Sequence, residues 1–294
     1  MKVVAHSDVI GFWQVAGPWL AADPVRNTVA LSIVGRLLHG LGDRDAVLLT
    51  VHDGPDVVAA ATCTPPLAIV LGAVLPDAAV AIADYAVSEH IELPGVTGIQ
   101  PAVEAFTAAW TERTGDEHEV KSYERLYRLG EEATNGKAAL TPPADVPGEA
   151  VEGTESDVEL LTSWRRTAVQ EIFRRPEPMT RVEASRMVRG SLAMGNGQIL
   201  WQVDGRPVSL AGVGLPREGM SRIGPVYTPP GQRGHGYGSA VTAAAARWAL
   251  DQGADHVVLF TDLANPVSNS IYQRIGFRPV VDALSVDFRP VRLP

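Results

Sequence analysis

Between Val226 and Val241 the chain reads VYTPPGQRGHGYGSAV. Pro229, Pro230, Gly231, Gly234, Gly236 and Gly238 crowd into one connection, which runs directly into a helix-like stretch from about Gly236 to Gln252. A plain connection needs one or two such residues. Several suit a loop that wraps a ligand with its own backbone, because glycine accepts positive φ and lets the main chain approach closely. The unpaired N–H groups of the first helical turn add donors and partial positive charge. That chemistry is anion binding, of phosphate or pyrophosphate. Arg233 sets a fixed cation beside it.

Two common phosphate loops do not fit. No Gly-Lys-Ser/Thr is present, and GHGYGS lacks the G-x-G-x-x-G spacing and its partnering acid. The remaining reading is the pyrophosphate cradle of an acyl-CoA enzyme.

Around this turn the pattern predicts an α/β unit. QILWQVDG and RPVSLAGVGL read as two strands joined by an Asp204-Gly205 hairpin turn. MSRIGPVYT is a third strand, HVVLFTDL a buried one, and NPVSNSIYQRIG a short helix that Gly276 would cap. FRPVVDALSVDF closes as one or two strands. Upstream, DVELLTSWRRTAVQEIF has helical spacing, with Ser156 or Asp157 as the expected cap. The stretch from Gly136 to Glu159 holds Pro142, Pro143 and Pro147 and a run of acids, and reads as a linker or strand entry and then an acidic helix start.

The first half echoes the second. DAVLLTVHDGPDVVAAATCTPP reads strand, Asp-Gly turn, strand, then Thr64-Pro65-Pro66, as the second half has Thr228-Pro229-Pro230. Thr64 lies 37 positions before Pro101, which opens the helix PAVEAFTAAWTERTG; Thr228 lies 38 before Pro266, which opens the other. Matched spacing of this kind predicts an internal duplication.

QRGHGYGSA resembles the Arg-Gly-x-Gly-x-Gly signature of the GNAT superfamily of N-acetyltransferases. NPVSNSIYQRIGFRPV resembles the same family's later motif, an Asn, a Tyr seven positions on, then Gly-Phe: here Asn265, Tyr272 and Gly276-Phe277. The resemblance covers about 150–294 and reaches the first half only in outline. It implies two tandem GNAT-like domains, 1–140 and 141–294, each a mixed, mostly antiparallel sheet flanked by helices. It also implies that the backbone of Val226, Tyr227 and Thr228 pairs with the pantetheine arm of acetyl-CoA. Gln232, Arg233, Gly234, His235, Gly236, Tyr237, Gly238 and Ser239 would hold the pyrophosphate. Asn265 and Tyr272 would lie near the arm and the thioester, with Tyr272 protonating the departing thiolate.

Other roles stay open for these residues. Asn265 before Pro266 also fits a helix cap followed by proline at the first helical position. Tyr272 also fits a core aromatic, His235 a solvent-facing turn residue, and Ser239 a helix-surface residue. The first half departs from the motif: LAIVLGAVLPDAAV follows its Thr-Pro-Pro, and Phe106 and Trp110 rather than Tyr lie on its late helix. That half reads as a degenerate copy without CoA.

An alkylammonium must lose a proton before it attacks a thioester. Glu171, Glu177 and Asp262 are the candidate bases, alongside a water chain to bulk solvent. The missing obvious base keeps a second reading in view, a CoA-binding sensor or assembly protein that transfers nothing. The acceptor would be an amine of a small molecule or a protein lysine.

Bulk properties narrow the classes. The chain has 294 residues, 46% hydrophobic and 20% charged, with a net charge of −9, which is ordinary globular composition with room for two domains. The acidic balance and the lack of Lys/Arg clusters beyond Arg165-Arg166 and Arg174-Arg175 argue against nucleic acid as a partner. The apolar region 57–83 is interrupted by Pro65, Pro66, Pro76 and Asp77, so no membrane span is expected. The N-terminus lacks an apolar core of signal-peptide length. The single Cys63 excludes an internal disulfide and a thiolate metal cluster, and reads as a buried, inert thiol in a reducing, cytoplasmic setting. No metal is expected, and self-association is left open.

Overall fold

In the computed structural model, residues 1–41, 45–130, 139–173 and 179–291 are described. The chain divides into two units. The first is Met1–Leu126 with Thr261–Asn265 and Val280–Pro294; the second is Tyr127–Phe260 with Pro266–Pro279.

In the first unit, β1 (Lys2–Ala5) leads to α1 (Val9–Ala22) and α2 (Thr28–Leu38). The Asp8 side chain accepts the Gly11 N–H at 2.8 Å and so starts α1. β2 (Val47–Asp53) and β3 (Asp56–Cys63) pair antiparallel from Val47↔Cys63 to Asp53↔Asp56. The expected Asp-Gly turn is therefore a Gly54-Pro55 loop, with Gly54 at φ 58. Leu49, Val51, Ala59 and Ala61 are buried on one face of this hairpin and Leu48, Thr50, Ala60 and Thr62 on the other, so both faces are covered. That is why these strands read as apolar runs rather than alternations.

β4 (Ile69–Leu71), α3 (Pro76–Ser88), β5 (Gly95–Ile99), α4 (Gln100–Thr114) and β6 (Glu117–Leu129) follow. β4 and β5 run parallel, Ile69↔Val96. Ala78, Ala79, Ala83, Ala86, Ala102 and Ala109 are buried on α3 and α4; their short side chains let these helices pack closely. Residues 280–289 complete the sheet beside β5, with Ala283↔Ile99 and Asp287↔Gly95. Phe288 from this strand stacks on Trp110 at 5.4 Å and on Phe106 at 6.3 Å. Asp282 receives both guanidinium bonds of Arg125, at 2.6 and 2.9 Å. That pairing holds its carboxyl below the usual range.

The second unit begins with β7 (Glu149–Glu152), a 3-10 turn Glu155–Asp157, and α5 (Val158–Phe173). Thr154, one turn before the expected caps, closes a capping box with Asp157. α6 (Arg181–Ala193) is absent from the sequence reading, although Thr180 and Glu183 form its capping box. β8 (Gly197–Val203) and β9 (Arg206–Val213) form the expected hairpin. Asp204 at φ 49 and Gly205 at φ 70 supply the two left-handed positions such a turn requires. β10 (Met220–Tyr227), α7 (Tyr237–Asp251), β11 (His256–Asp262), α8 (Pro266–Ile275) and β12 (Phe277–Arg289) complete the chain. From Val280 on, β12 is the strand already described with the first unit. The strand order here is β11-β10-β9-β8-β7, antiparallel except for the parallel β10–β11 pair.

The fold is thus mixed α/β, with mostly antiparallel strands flanked by helices, as expected. Among the described residues, no helix is long and apolar enough to cross a membrane. Cys63 is 1% exposed, and burial pushes its thiol up to about 11, which leaves it inert.

Candidate functional site: the parting of two strands and a glycine turn

β10 and β11 pair from Met220↔His256 to Ile223↔Leu259, and the ladder ends there. β10 continues along β9 with a register shift between Ile223 and Val226. The shift is built from Gly224 at φ 148 and Pro225, one residue with unusual freedom and one without an N–H. Beyond it Val226 and Tyr227 pair with Ala211 and Leu210 on β9. Their edge toward β11 lies outside the parallel ladder. Such an edge can take an extended ligand as a further strand.

The end of β10 is fixed from below. Ser209, fully buried on β9, donates to the Tyr227 carbonyl at 3.1 Å and lies 2.8 Å from the Thr228 hydroxyl. Sequence reasoning missed Ser209; no spacing signal marks a serine that braces a neighbouring strand.

The turn then tightens. Gln232 N–H donates to Pro229 C=O at 2.8 Å and Arg233 N–H to Pro230 C=O at 3.3 Å. Gly234 at φ 84 and Gly236 at φ 82 bend the chain into α7. Gly236 is the N-cap and has no side chain to close the helix start. The first helical bond is Ala240 N–H to Gly236 C=O at 3.0 Å. The N–H groups of Tyr237, Gly238 and Ser239 therefore stand ahead of the helical ladder. Gln232, Arg233, Gly234 and His235 lie in the same turn as these donors, with the Gln232 and Arg233 N–H groups already bonded within it.

The side chains there have distinct settings. His235 is exposed and stacks on buried Tyr237, with ring centres 5.4 Å apart, as a solvent-facing residue would. Arg233 is tied at both ends: Nε donates to Thr228 C=O at 2.9 Å and Nη2 to Glu171 at 2.6 Å. Of the three candidate bases, Glu171 is thus engaged in an ion pair. Asp262 organises the turn after β11, accepting the Ala264 N–H at 2.7 Å and, on its carbonyl, the Asn265 N–H at 3.0 Å. Glu177 lies outside the described residues. Asn265 is exposed and directly precedes Pro266, the first residue of α8.

Tyr272 is 9% exposed. It belongs to the same apolar cluster as Ile223 and Leu259, the last residues paired before the strands part. Phe277 meets its ring edge-on at 6.3 Å, and Ser268 one turn earlier hydrogen-bonds its hydroxyl. Burial pushes the phenol up to about 12. On another side of α8, fully buried Tyr127 donates to Asn269 Oδ1 at 2.9 Å and accepts from Gln273 Nε2 at 3.2 Å. Tyr127 positions the helix that carries Tyr272, and sequence reasoning missed it because the partners are about 140 residues apart. An open groove of about 600 Å³ runs past Pro266, Ser270, Gln273 and Arg274. By helical spacing it lies on the face of α8 opposite Ser268 and Tyr272, away from the parted strands.

With this geometry in hand, the likeness to a known family covers part of the chain and the likeness to solved structures its whole length. Residues 161–277 match the Acetyltransferase (GNAT) family. A stretch of 65 residues is 42% identical to the mycothiol acetyltransferase of Salinispora tropica, covering 21% of each chain. A stretch of 62 residues is 40% identical to the mycothiol acetyltransferase of an Arthrobacter species, covering 20% of this chain and 19% of that one. The matched stretch thus spans only about a fifth of these curated relatives. Among solved structures, the tandem GNAT protein from the clavulanic acid biosynthesis pathway superposes with a TM-score of 0.59 at 13% identity, over 100% of this chain and 99% of that one. The GCN5-related N-acetyltransferase of Sphaerobacter thermophilus does so with a TM-score of 0.59 at 16% identity, over 99% and 96%. These likenesses show the tandem fold.

Proposed function

From a domain of the Acetyltransferase (GNAT) family over residues 161–277, we propose that this protein is an acetyl-CoA-dependent N-acetyltransferase. The observation that carries the reading is the parting of β10 from β11 directly before a turn whose helix N-terminus holds three N–H groups ahead of its ladder. Bound acetyl-CoA supplies an activated acetyl thioester. The open edge at Val226–Thr228 pairs with the amides of its arm, and the turn from Gln232 to Ser239 takes the pyrophosphate. Asn265 contacts the arm. Tyr272 supports the departing sulfur from beneath the parting strands. The acceptor is an amine of a small molecule or a protein lysine. Its nitrogen attacks the carbonyl carbon, the C–N bond forms, the C–S bond breaks with its electron pair going to sulfur, the amine proton leaves through water to bulk solvent, and the CoA thiolate takes up a proton from solvent. Incubation with acetyl-CoA and a panel of amines should release free thiol. CoA binding without any acceptor-dependent release would favour a sensor instead.

Gly238 gives a clean test of the cradle. Its φ is not left-handed, and an added Cβ would meet only the Thr228 hydroxyl, at 3.4 Å. Gly236 is a poorer choice, because its φ is 82 and a Cβ there would lie 2.9 Å from Val146. Gly238→Val should fold normally by thermal melting. Its CoA affinity should fall by roughly 10- to 100-fold, the worth of a hydrogen bond to a charged group. Unchanged affinity would place the cradle elsewhere.

We propose further that the first unit is a degenerate copy that binds no CoA. Thr64-Pro65-Pro66 follows β3, one strand earlier than the place of Thr228-Pro229-Pro230 after β10, so the matched spacing does not mark equivalent turns. The corresponding connection is the one after β4, and it uses its donors internally: Gly72 N–H goes to Ala60 C=O at 3.1 Å and Ala73 N–H to the buried Asn27 side chain at 2.8 Å. The next helix starts at Pro76 without a glycine turn. Calorimetry on the full chain should therefore give one strong CoA site, and two equal sites would overturn this reading. A reduced, inert Cys63 fits a cytoplasmic setting.

A further inference from the structure

Arg233, the guanidinium of the glycine turn, already has an anion. Its Nη2 bonds Glu171 at 2.6 Å, and the two side chains remain 50% and 42% exposed. Glu171 stands in the last turn of α5, which carries no basic residue. A carboxylate there faces the negative end of the helix dipole, and among the described residues Arg233 offsets it. The same face of α5 presents Trp164 and Thr167, at helical spacing from Glu171, to the end of β10. Trp164 meets the Tyr227 ring at 5.9 Å, and Thr167 hydrogen-bonds its hydroxyl. Burial, then the nearby Glu171 carboxylate, hold that phenol above its ordinary value, while Arg233 acts the other way.

A half-exposed pair of this kind is weak. A diphosphate offers Arg233 more charge and the bidentate geometry a guanidinium prefers. We propose that Glu171 is a built-in competitor for the pyrophosphate: it holds Arg233 in the empty protein, surrenders it to CoA, and so sets donor affinity and frees the last turn of α5. This rests on the CoA-binding reading of the turn. Glu171 is a specificity-determining residue here, because a ligand without phosphate gains nothing from displacing it. Once unpaired, its carboxylate opposes the helix end, so donor binding loosens the C-terminal turn of α5.

The test uses the full chain. Calorimetry would measure CoA and pantetheine, which lacks the phosphates, on the natural protein and on Glu171→Gln. The variant should bind CoA roughly two- to fivefold more tightly, the worth of an exposed ion pair, with pantetheine affinity unchanged. Hydrogen exchange should show the amides of 169–173 exchanging faster when CoA binds the natural protein, and no such change in the variant. Unchanged or weaker CoA affinity in a folded Glu171→Gln, equal tightening of pantetheine, or slower exchange at 169–173 would overturn the proposal. Absence of CoA binding by the natural protein would instead overturn the reading beneath it.

Discussion

Replacing Tyr272 by phenylalanine is expected to lower turnover by roughly 10²- to 10³-fold, the usual worth of one preorganised hydrogen-bond donor at developing charge, while acetyl-CoA affinity changes little. The substitution keeps the ring against Phe277 and removes only the hydroxyl bonded to Ser268. In the proposed mode of binding, affinity rests on the backbone edge of β10 and on the turn, neither of which the substitution touches. The phenol at about 12 is a weaker acid than an ordinary thiol near ~8.5. In the proposed mechanism the hydroxyl therefore donates a hydrogen bond to sulfur as charge builds there, rather than giving up its proton outright. The sign of the pH effect follows. The folded value lies above the ordinary 10.0, so the stabilisation is complete below that value and is lost only as pH rises through about 12. Neither activity nor stability should titrate with Tyr272 below about pH 10. A pH-rate limb nearer neutrality belongs to the acceptor amine. Turnover and acetyl-CoA affinity measured on the same preparations decide the matter. A fully active Phe variant would reduce Tyr272 to a core aromatic.

Gly276→Ala is expected to cost about 2–5 kcal/mol of stability, combining a strained backbone with forced displacement of a packed neighbour. Gly276 ends α8 at φ 118, and an added Cβ would be driven into the Ala139 carbonyl oxygen. That neighbour cannot move freely. Gly276 C=O accepts the Gly130 N–H at 3.0 Å, Ala139 N–H bonds Gly130 C=O at 2.7 Å, and Thr141 N–H bonds Ile275 C=O at 2.8 Å. The glycine is thus more than a helix cap: it admits another backbone segment beside the helix that carries Tyr272. Urea denaturation should show the midpoint falling, and activity should fall with the folded fraction. A variant as stable as the natural protein would mean that Ala139 yields without cost.

Local patterning carried much of the second unit. The Asp204-Gly205 hairpin, the strand at Met220–Tyr227, α7 and α8 stand where composition and period put them, because each depends on residues close in sequence. The glycine turn was legible for the same reason: positive φ at Gly234 and Gly236 is a property of the residues themselves. α6 was equally local, with Thr180 and Glu183 as its signal, and a stricter search for capping boxes would find it.

What remained hidden depends on contacts distant along the chain. Nothing in the sequence around Arg233 shows that Glu171, 62 residues earlier, holds it. Nor does the stretch around Tyr127 show that its hydroxyl serves α8. The last strand shows this most clearly. Phe277–Arg289 reads as a strand from its own residues, yet its part beyond Val280 belongs with the first unit, where Asp282 meets Arg125. A strand's period states which face is apolar; it does not name the neighbour that will bury that face. The sequence by itself determined the glycine turn, the order of elements around it and the Asn265–Tyr272 spacing. The tertiary structure decided where the strands part, which anion Arg233 holds and how deeply Tyr272 is buried, because each of these is set by side chains that only folding brings into contact.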